Sequence, residues 1–413
     1  MRMTESSVTL RPTNVEEVAA AVQRARRDSL PLTVVSGGHG PWSRGSTAGI
    51  RLELAEIAEI AVDGTTVRVG GGAVWGDVAA TLAGHGLAIS SGDTATVGVG
   101  GLTLGGGIGW MVRAWGLAAD QLIGAQVVTA AGDVVEASVD ENRDLFWALR
   151  GGGGNFGVVT RFDFRAHRLE GITLAENAIT GDPVTVLRTV RDVMRDAPRE
   201  LTVTYMDVPP MDPSAPAGAR MSAVWAGVEP DRLRDVLAPI THIDGVQTEV
   251  TTPAYRDILL EMPAPPEGEG VAAPGFIGGN GLYAELDDSV IDRIVAFRAA
   301  YPASVVFLRS LGGAFSDVPQ EDTAFPARQA RWFVMAGGFD IPGVVDDAVR
   351  AAILADWNEI ERARLAEYGN FADTERPQAV PDMFSAPALE RLRGIKRRWD
   401  PDNLFRRNHN IVG

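Results

Sequence analysis

Apolar positions set the first elements. Val15, Val18, Ala19 and Val22 recur at helical spacing up to Arg27, and Thr13-Asn14-Val15-Glu16 ahead of them fits a capping box, so the chain predicts an amphipathic helix here. A continuous apolar run over 30–35 reads as a buried strand and stops on Ser36-Gly37-Gly38-His39-Gly40. A strand that ends in a glycine turn exposes successive backbone N–H groups, which suits a phosphate or a flat cofactor. Residues 57–62 and 65–69, joined by Asp63-Gly64, predict a β-hairpin with a type I′ turn, and 126–129 with 134–137 predict a second. A short helix over 144–149 and a strand over 156–164 complete this part.

The pattern then changes. After about Arg168 glycine thins, proline rises (Pro209, Pro210, Pro213, Pro216, Pro263, Pro265, Pro266), and helical periodicity appears over 183–196 and 342–366. A basic amphipathic helix over 387–399, closed by Asp400-Pro-Asp-Asn403, precedes the tail Phe405-Arg-Arg-Asn-His-Asn-Ile411. The expected division is 1–168, 169–385 and 386–413, with the last segment returning to the first lobe. There are no internal repeats.

Composition narrows the chemistry. At 413 residues and 45% apolar content the chain is globular and large enough for two lobes. Lys plus Arg is 38 and Asp plus Glu is 54, so 38 − 54 = −16, and no basic run is interleaved with aromatics; a polyanion would be repelled. The N-terminus has no apolar leader core and no apolar stretch reaches 18 residues, which reads as a soluble, cytoplasmic protein without a membrane partner. Cysteine is absent, which removes disulfides, thiolate nucleophiles and iron–sulfur clusters, and the five histidines (39, 85, 167, 242, 409) make no metal-ligand spacing. Glycine is in excess, 47 residues, and is densest between Gly37 and Gly157.

Gly152-Gly-Gly154-Asn-Phe-Gly157 matches GxGxxG, yet a helix precedes it and a β-rich run follows, so a dinucleotide fold is ruled out by context. There is no P-loop and no GxSxG. The segment from Gly92 to Gly109 is too glycine-dense for a helix interior.

Several spaced motifs then occur in one order: Arg11-Pro-Thr-Asn-Val-Glu-Glu-Val18, Ser36-Gly-Gly-His-Gly40, Thr96-Val-Gly-Val-Gly-Gly-Leu-Thr-Leu-Gly-Gly-Gly-Ile-Gly109, Gly116-Leu-Ala-Ala-Asp120, Asp144-Leu-Phe-Trp-Ala-Leu-Arg-Gly-Gly-Gly-Gly-Asn-Phe-Gly-Val-Val159 and Asp400-Pro-Asp-Asn-Leu-Phe-Arg406. Together they resemble the berberine-bridge-enzyme-like branch of the vanillyl-alcohol-oxidase flavoproteins. The resemblance is dense over 8–168, moderate over 368–411 and thin between. It implies an α+β fold, with a two-subdomain PCMH-type FAD-binding lobe and a substrate-binding lobe whose antiparallel sheet is covered by helices.

The resemblance also assigns roles. In the family the histidine of SGGH bonds the flavin 8α-methyl, which makes His39 the expected covalent anchor; the alternative is a histidine that caps a glycine turn. A second link, from a cysteine in a CPTVG-like motif, is impossible because Thr94 stands there and the chain has no cysteine. The cofactor positions implied are Ser36, Gly37, Gly38, His39, Gly40, Gly92, Thr94, Val97, Gly98, Gly101, Leu102, Gly105, Gly106, Val159, Asn408 and Asn410. Val35 replaces a frequent arginine, leaving backbone donors to bind phosphate. Val97 occupies the position that gates oxygen in relatives, or is a core residue.

Tyr368-Gly-Asn370-Phe371 resembles the family's YxN[YF] motif, whose second aromatic carries the base in sugar oxidases; here it is Phe371, so Tyr368, Tyr205 or Tyr283 must substitute or no base is needed. A neutral amine can give up hydride without one. The implied catalytic positions are Tyr368, Asn370 and Val97, with no metal. Trp42, Trp110, Trp115 and Trp332 either line a pocket or belong to the core. The expected function is an FAD-dependent oxidase of a small or natural-product amine or alcohol, passing hydride to the flavin and electrons to O2 to make H2O2, as a monomer or homodimer. A dehydrogenase or oxidative cyclase of secondary metabolism, or a carbohydrate oxidase, is the alternative.

Overall fold

In the computed structural model, residues 8–43, 48–209, 218–261, 275–340, 345–372, 376 and 379–413 are described. The prolines at 210, 213, 216, 263, 265 and 266 and the Trp42 side chain lie outside that description. The first helix spans Val15–Arg27, capped one residue later than the sequence spacing suggested. Asn14 Oδ1 accepts from the Glu17 amide at 3.0 Å, satisfying one of the first-turn donors, and Glu17 Oε2 reaches back to accept from the Thr13 amide at 2.8 Å.

Two larger sheets and a short antiparallel pair, Leu87–Ala88 with His167–Arg168, form the first lobe. A parallel three-stranded sheet has Ile50–Glu53 between Val8–Leu10 and Leu32–Val35. An antiparallel five-stranded sheet runs Ile60–Asp63, Thr66–Gly70, Val158–Arg165, Leu122–Val128, Val134–Ser138, so both expected hairpins are present. The GxGxxG glycines form the turn between the helix Arg143–Leu149 and the strand Val158–Arg165.

One expectation fails within the glycine-rich segment: Val99–Leu104 is helical although it contains Gly100 and Gly101. Tertiary contact overrides propensity, because a Cβ on Gly100 would stand 3.1 Å from the Gly71 carbonyl oxygen and 3.3 Å from Ser36 Cβ. Small size at this position lets the helix lie against two other turns.

The second lobe is a seven-stranded antiparallel sheet in the order Val246–Thr251, Thr173–Ile179, Ala219–Trp225, Leu201–Asp207, Ser304–Ser310, Trp332–Asp340, Gly275–Tyr283. Helices Pro183–Asp196, Pro230–Thr241, Asp288–Ala300 and Asp347–Glu361 cover one face, burying Val203, Tyr205, Trp225, Tyr283 and Leu308 beneath them. The last helix is shorter than the 342–366 pattern suggested, because Asp346 caps it through the Val349 amide and the chain past Glu361 bridges Leu282 through Ala366. Strand alternation turns residues 202, 204, 206, 307, 309, 333 and 335 to the opposite face, toward the first lobe.

Helix Ala386–Trp399 packs Leu389, Leu392 and Ile395 into the same core as Phe146, Phe156 and Phe162, and Ile411 joins them. Between the lobes, Arg328 pairs with Asp120 at 2.7 Å with both side chains almost fully buried. Arg113 donates to the Leu201, Leu311 and Ala197 carbonyls.

Candidate functional site

Three glycine turns converge at the ends of the first lobe's strands. Ser36 Oγ, just beyond Leu32–Val35, donates to the Gly71 carbonyl at 2.8 Å and accepts from the Gly100 amide at 3.4 Å, tying the turns together. Gly37 lies so close to Gly98 that a Cβ would be 2.2 Å from its amide nitrogen. Gly101 has nothing within 4 Å of its Cβ position and is exposed, so the floor opens there. Gly37→Ala is expected to force the two turns apart and lose most of the bound flavin, read as the absorbance ratio of flavin to protein after purification; near-normal flavin content would show that this contact does not shape the floor.

His39 is half-buried at the rim of this floor, its Nε2 2.9 Å from Thr96 Oγ1. Gly38, with φ 74°, makes the turn that carries it, and Gly40 follows, half-buried. Thr94 and Val97 are half-buried beside it; Thr94 bridges Leu260 of the second lobe, and the Val97 carbonyl accepts from the Trp75 amide at 3.0 Å. Gly92 and Gly106 are buried, with Cβ positions 2.5 Å from Leu102 Cδ1 and Phe325 Cδ2, so they are packing glycines. Leu102 and Gly105 are half-buried, and a Cβ on Gly105 would collide with Asn370 Oδ1. The Val159 side chain packs in the core, 4% exposed, with its carbonyl against Gly71.

The C-terminal tail closes the other side. Asn155 donates to the His409 carbonyl at 3.1 Å and accepts from the Ile411 amide at 3.0 Å, and His409 Nε2 stands 2.7 Å from the Gly369 carbonyl. This leaves the buried Oδ1 atoms of Asn408 and Asn410 without a protein donor.

Tyr368 is 2% exposed, and its phenol oxygen is reached by three donors: Asn370 Nδ2 at 2.8 Å and the Gly107 and Ile108 amides at 3.1 and 3.3 Å. Burial raises its pKa, opposed by those hydrogen bonds. Asn370 Nδ2 also donates to the Leu102 carbonyl at 3.1 Å, so the pair braces the glycine floor. Tyr205 and Tyr283 cannot serve as the base: both are buried among the helices on the far face of the second sheet, and burial raises both phenols. Trp110 and Trp332 are core residues, 8% and 4% exposed, and Trp115 stacks on His167.

The cleft ceiling is the front face of the seven-stranded sheet, where sequence reasoning found nothing. Register pairs Glu176 with Ser222, Ser222 with Thr204, Thr204 with Arg309 and Arg309 with Phe333. The adjacent row runs Arg220, Met206, Phe307, Met335. Met206, Phe307 and Met335 are half-buried and Phe371 is 54% exposed, its ring 5.5 Å from Phe333 and 5.8 Å from Tyr368. Arg309 is 1% exposed; it pairs with Asp93 at 2.6 Å, donates to Thr204 Oγ1 at 2.8 and 2.9 Å, and lies 4.4 Å over the Trp110 ring. Alternation in the strand could have flagged residues 305, 307 and 309 as one face, but nothing local says which face meets the floor.

These features suit FAD: close-packed glycine turns that open at Gly101, a rim histidine, and two buried amide oxygens with no donor of their own. Comparison with known proteins agrees. The FAD binding domain family model matches residues 6–138 and the berberine and berberine-like model matches 367–412. The chain is 29% identical to (R)-6-hydroxynicotine oxidase of Paenarthrobacter nicotinovorans, over 96% of this chain and 88% of that one. It is 30% identical to the FAD-linked oxidoreductase OXR1 of Pyricularia oryzae, over 97% and 83%. Among solved structures it is similar to the glucooligosaccharide oxidase of Acremonium strictum, described with 6-S-cysteinyl, 8α-N1-histidyl FAD, at TM-score 0.83 and 25% identity over 99% of this chain and 92% of that one. A glycine-built FAD floor, a histidine at its rim and matching relatives along nearly the whole length make this chain a member of the berberine-bridge-enzyme-like family of FAD-linked oxidoreductases.

Proposed function

We propose that the protein is an oxidase that carries FAD on a single bond to His39 and oxidises a small, largely apolar amine, returning electrons to O2 with release of H2O2. The observation that carries the amine reading is Phe371. Exposed beside Phe333 and Tyr368, it occupies the motif position that carries the base in sugar oxidases, and it has no group to accept a proton. The half-buried ceiling beside it presents the thioethers of Met206 and Met335 and the ring of Phe307, which suits an apolar substrate.

FAD, when bound, supplies the two-electron acceptor. The chain's own part is to hold it and its substrate. Thr96 Oγ1 holds the His39 ring by its Nε2 at 2.9 Å. Ser36, the glycine turns and the tail amides Asn408 and Asn410 bind its polar parts, Tyr368 and Asn370 brace the floor, and Val97 leaves room for oxygen. The division into 1–168, 169–385 and 386–413, a cytoplasmic location, a monomeric or homodimeric state and a role in secondary metabolism belong to the same reading. No described helix is long and apolar enough to cross a membrane.

A peroxide-coupled screen of amines, simple alcohols and oligosaccharides tests it, with peroxide expected from amines. Phe371→Tyr is expected to leave amine oxidation within about threefold while gaining measurable alcohol oxidation, since a positioned general base contributes roughly 10²–10⁴-fold. Turnover of oligosaccharides by the unmodified protein would overturn the amine reading, and reduced flavin that returns only slowly to the oxidised spectrum in air would overturn the oxidase reading.

A further inference from the structure

We infer that Asp93 is the anchor for the basic nitrogen of the substrate. This rests on the amine reading above and adds the residue that recognises the amine. Asp93 lies on the floor, one residue before Thr94, and its carboxylate is drawn up to the ceiling by Arg309 Nη1 and Nη2 at 2.7 and 2.6 Å. The guanidinium is held by other contacts, to Thr204 Oγ1 and over the rings of Trp110 and Phe307, at 1% exposure. Asp93 is 18% exposed, so it is the member of the pair that a ligand can reach.

Its backbone is fixed as well. The Leu260 amide donates to the Asp93 carbonyl at 2.7 Å, and the Ala95 amide donates to the Leu260 carbonyl at 2.9 Å. The carboxylate reaches the Phe371 end of the ceiling through Arg309, whose strand partner Phe333 has its ring 5.5 Å from that of Phe371. Met206, Phe307, Met335 and Phe371, half-buried or exposed on this side, are uncharged, and Arg220 lies beyond Met206 at the far end of their row. A substrate ammonium or amine N–H that enters an apolar cleft needs an acceptor, and a rigid, partly exposed carboxylate provides a charge-assisted one.

Flavin difference spectra of the holoenzyme at neutral pH test this with three probes of one shape: benzylammonium, benzyl alcohol and benzoate. Benzylammonium is expected to bind about tenfold more tightly than benzyl alcohol, a difference of about 1.4 kcal/mol. Asp93→Asn should erase that preference while leaving the alcohol within twofold. If Asp93→Asn loses its flavin because Arg309 is left buried without a partner, Asp93→Asn/Arg309→Met, which strands neither charge, takes its place. Benzoate binding most tightly would assign recognition to Arg309 and overturn the inference, as would an ammonium preference that survives loss of the carboxylate, or no spectral response to any probe. Peroxide release reports on the parent reading separately: no turnover of amines together with an intact ammonium preference would remove the oxidase and keep the anchor.

Discussion

His39→Ala is expected to convert every covalently held flavin into a dissociable one. Acid precipitation of the unmodified protein should leave the yellow colour in the pellet, and precipitation of the variant should release it to the supernatant. The glycine turns and the tail amides remain in the variant, so FAD should still bind and the fold should survive. Flavin reduction should slow as well if the bond raises the flavin potential, each ~30 mV lost from a two-electron couple being worth about 1.4 kcal/mol of driving force. Because the chain contains no cysteine, no second, cysteinyl link can hide the result. Colour retained in the pellet of His39→Ala would place the bond on another residue. Colour released from the unmodified protein would leave His39 as a hydrogen-bonded rim residue.

Lys396→Met is expected to destabilise the protein by about 3–5 kcal/mol, the cost typical of breaking a buried pair and stranding its partner. Lys396 and Asp400 are 1% and 0% exposed and 2.7 Å apart. Lys396 Nζ also donates to the Asn155 and Phe405 carbonyls, at 2.8 and 2.9 Å, while Asp400 accepts from the Leu404 and Phe405 amides, at 2.7 and 2.8 Å. Burial lowers the Lys396 pKa, opposed by Asp400. The same network leads through Asn155 to His409 and Ile411, so the loss should be felt at the tail as easier flavin exchange in a Lys396→Met/His39→Ala background. Denaturant unfolding followed by circular dichroism measures the first effect and flavin fluorescence the second. Lys396→Met/Asp400→Asn should recover part of the loss, since no full charge is then left unpaired. A midpoint for Lys396→Met unchanged from the parent would show that the pair holds nothing together.

How much of this was legible beforehand differs between the two lobes. Local rules located the hairpins around Asp63-Gly64 and 129–133, the strand that ends at Ser36, and the C-terminal helix with its Asp400 stop, because each is fixed by residues adjacent in sequence. The glycine excess pointed to close backbone approach, and the motif order pointed to the cofactor. Local rules misjudged the capping residue by one and denied a helix at Val99–Leu104, where the deciding contacts come from Ser36 and Gly71.

The sequence by itself determined the cofactor floor, since a chain that lies against a flat ligand needs glycine at consecutive positions, and it excluded a second covalent link by having no cysteine. Only the tertiary structure decided which tyrosines face the cleft. Tyr205 and Tyr283 lie in strands like Phe307 and Arg309, and their removal to the helix-backed face follows from the register of seven strands drawn from distant parts of the chain. It also decided that Asp93 and Arg309, 216 positions apart, form one pair. Strand alternation gives a side chain two choices, and which of them meets the substrate is set by what the opposite face must bury.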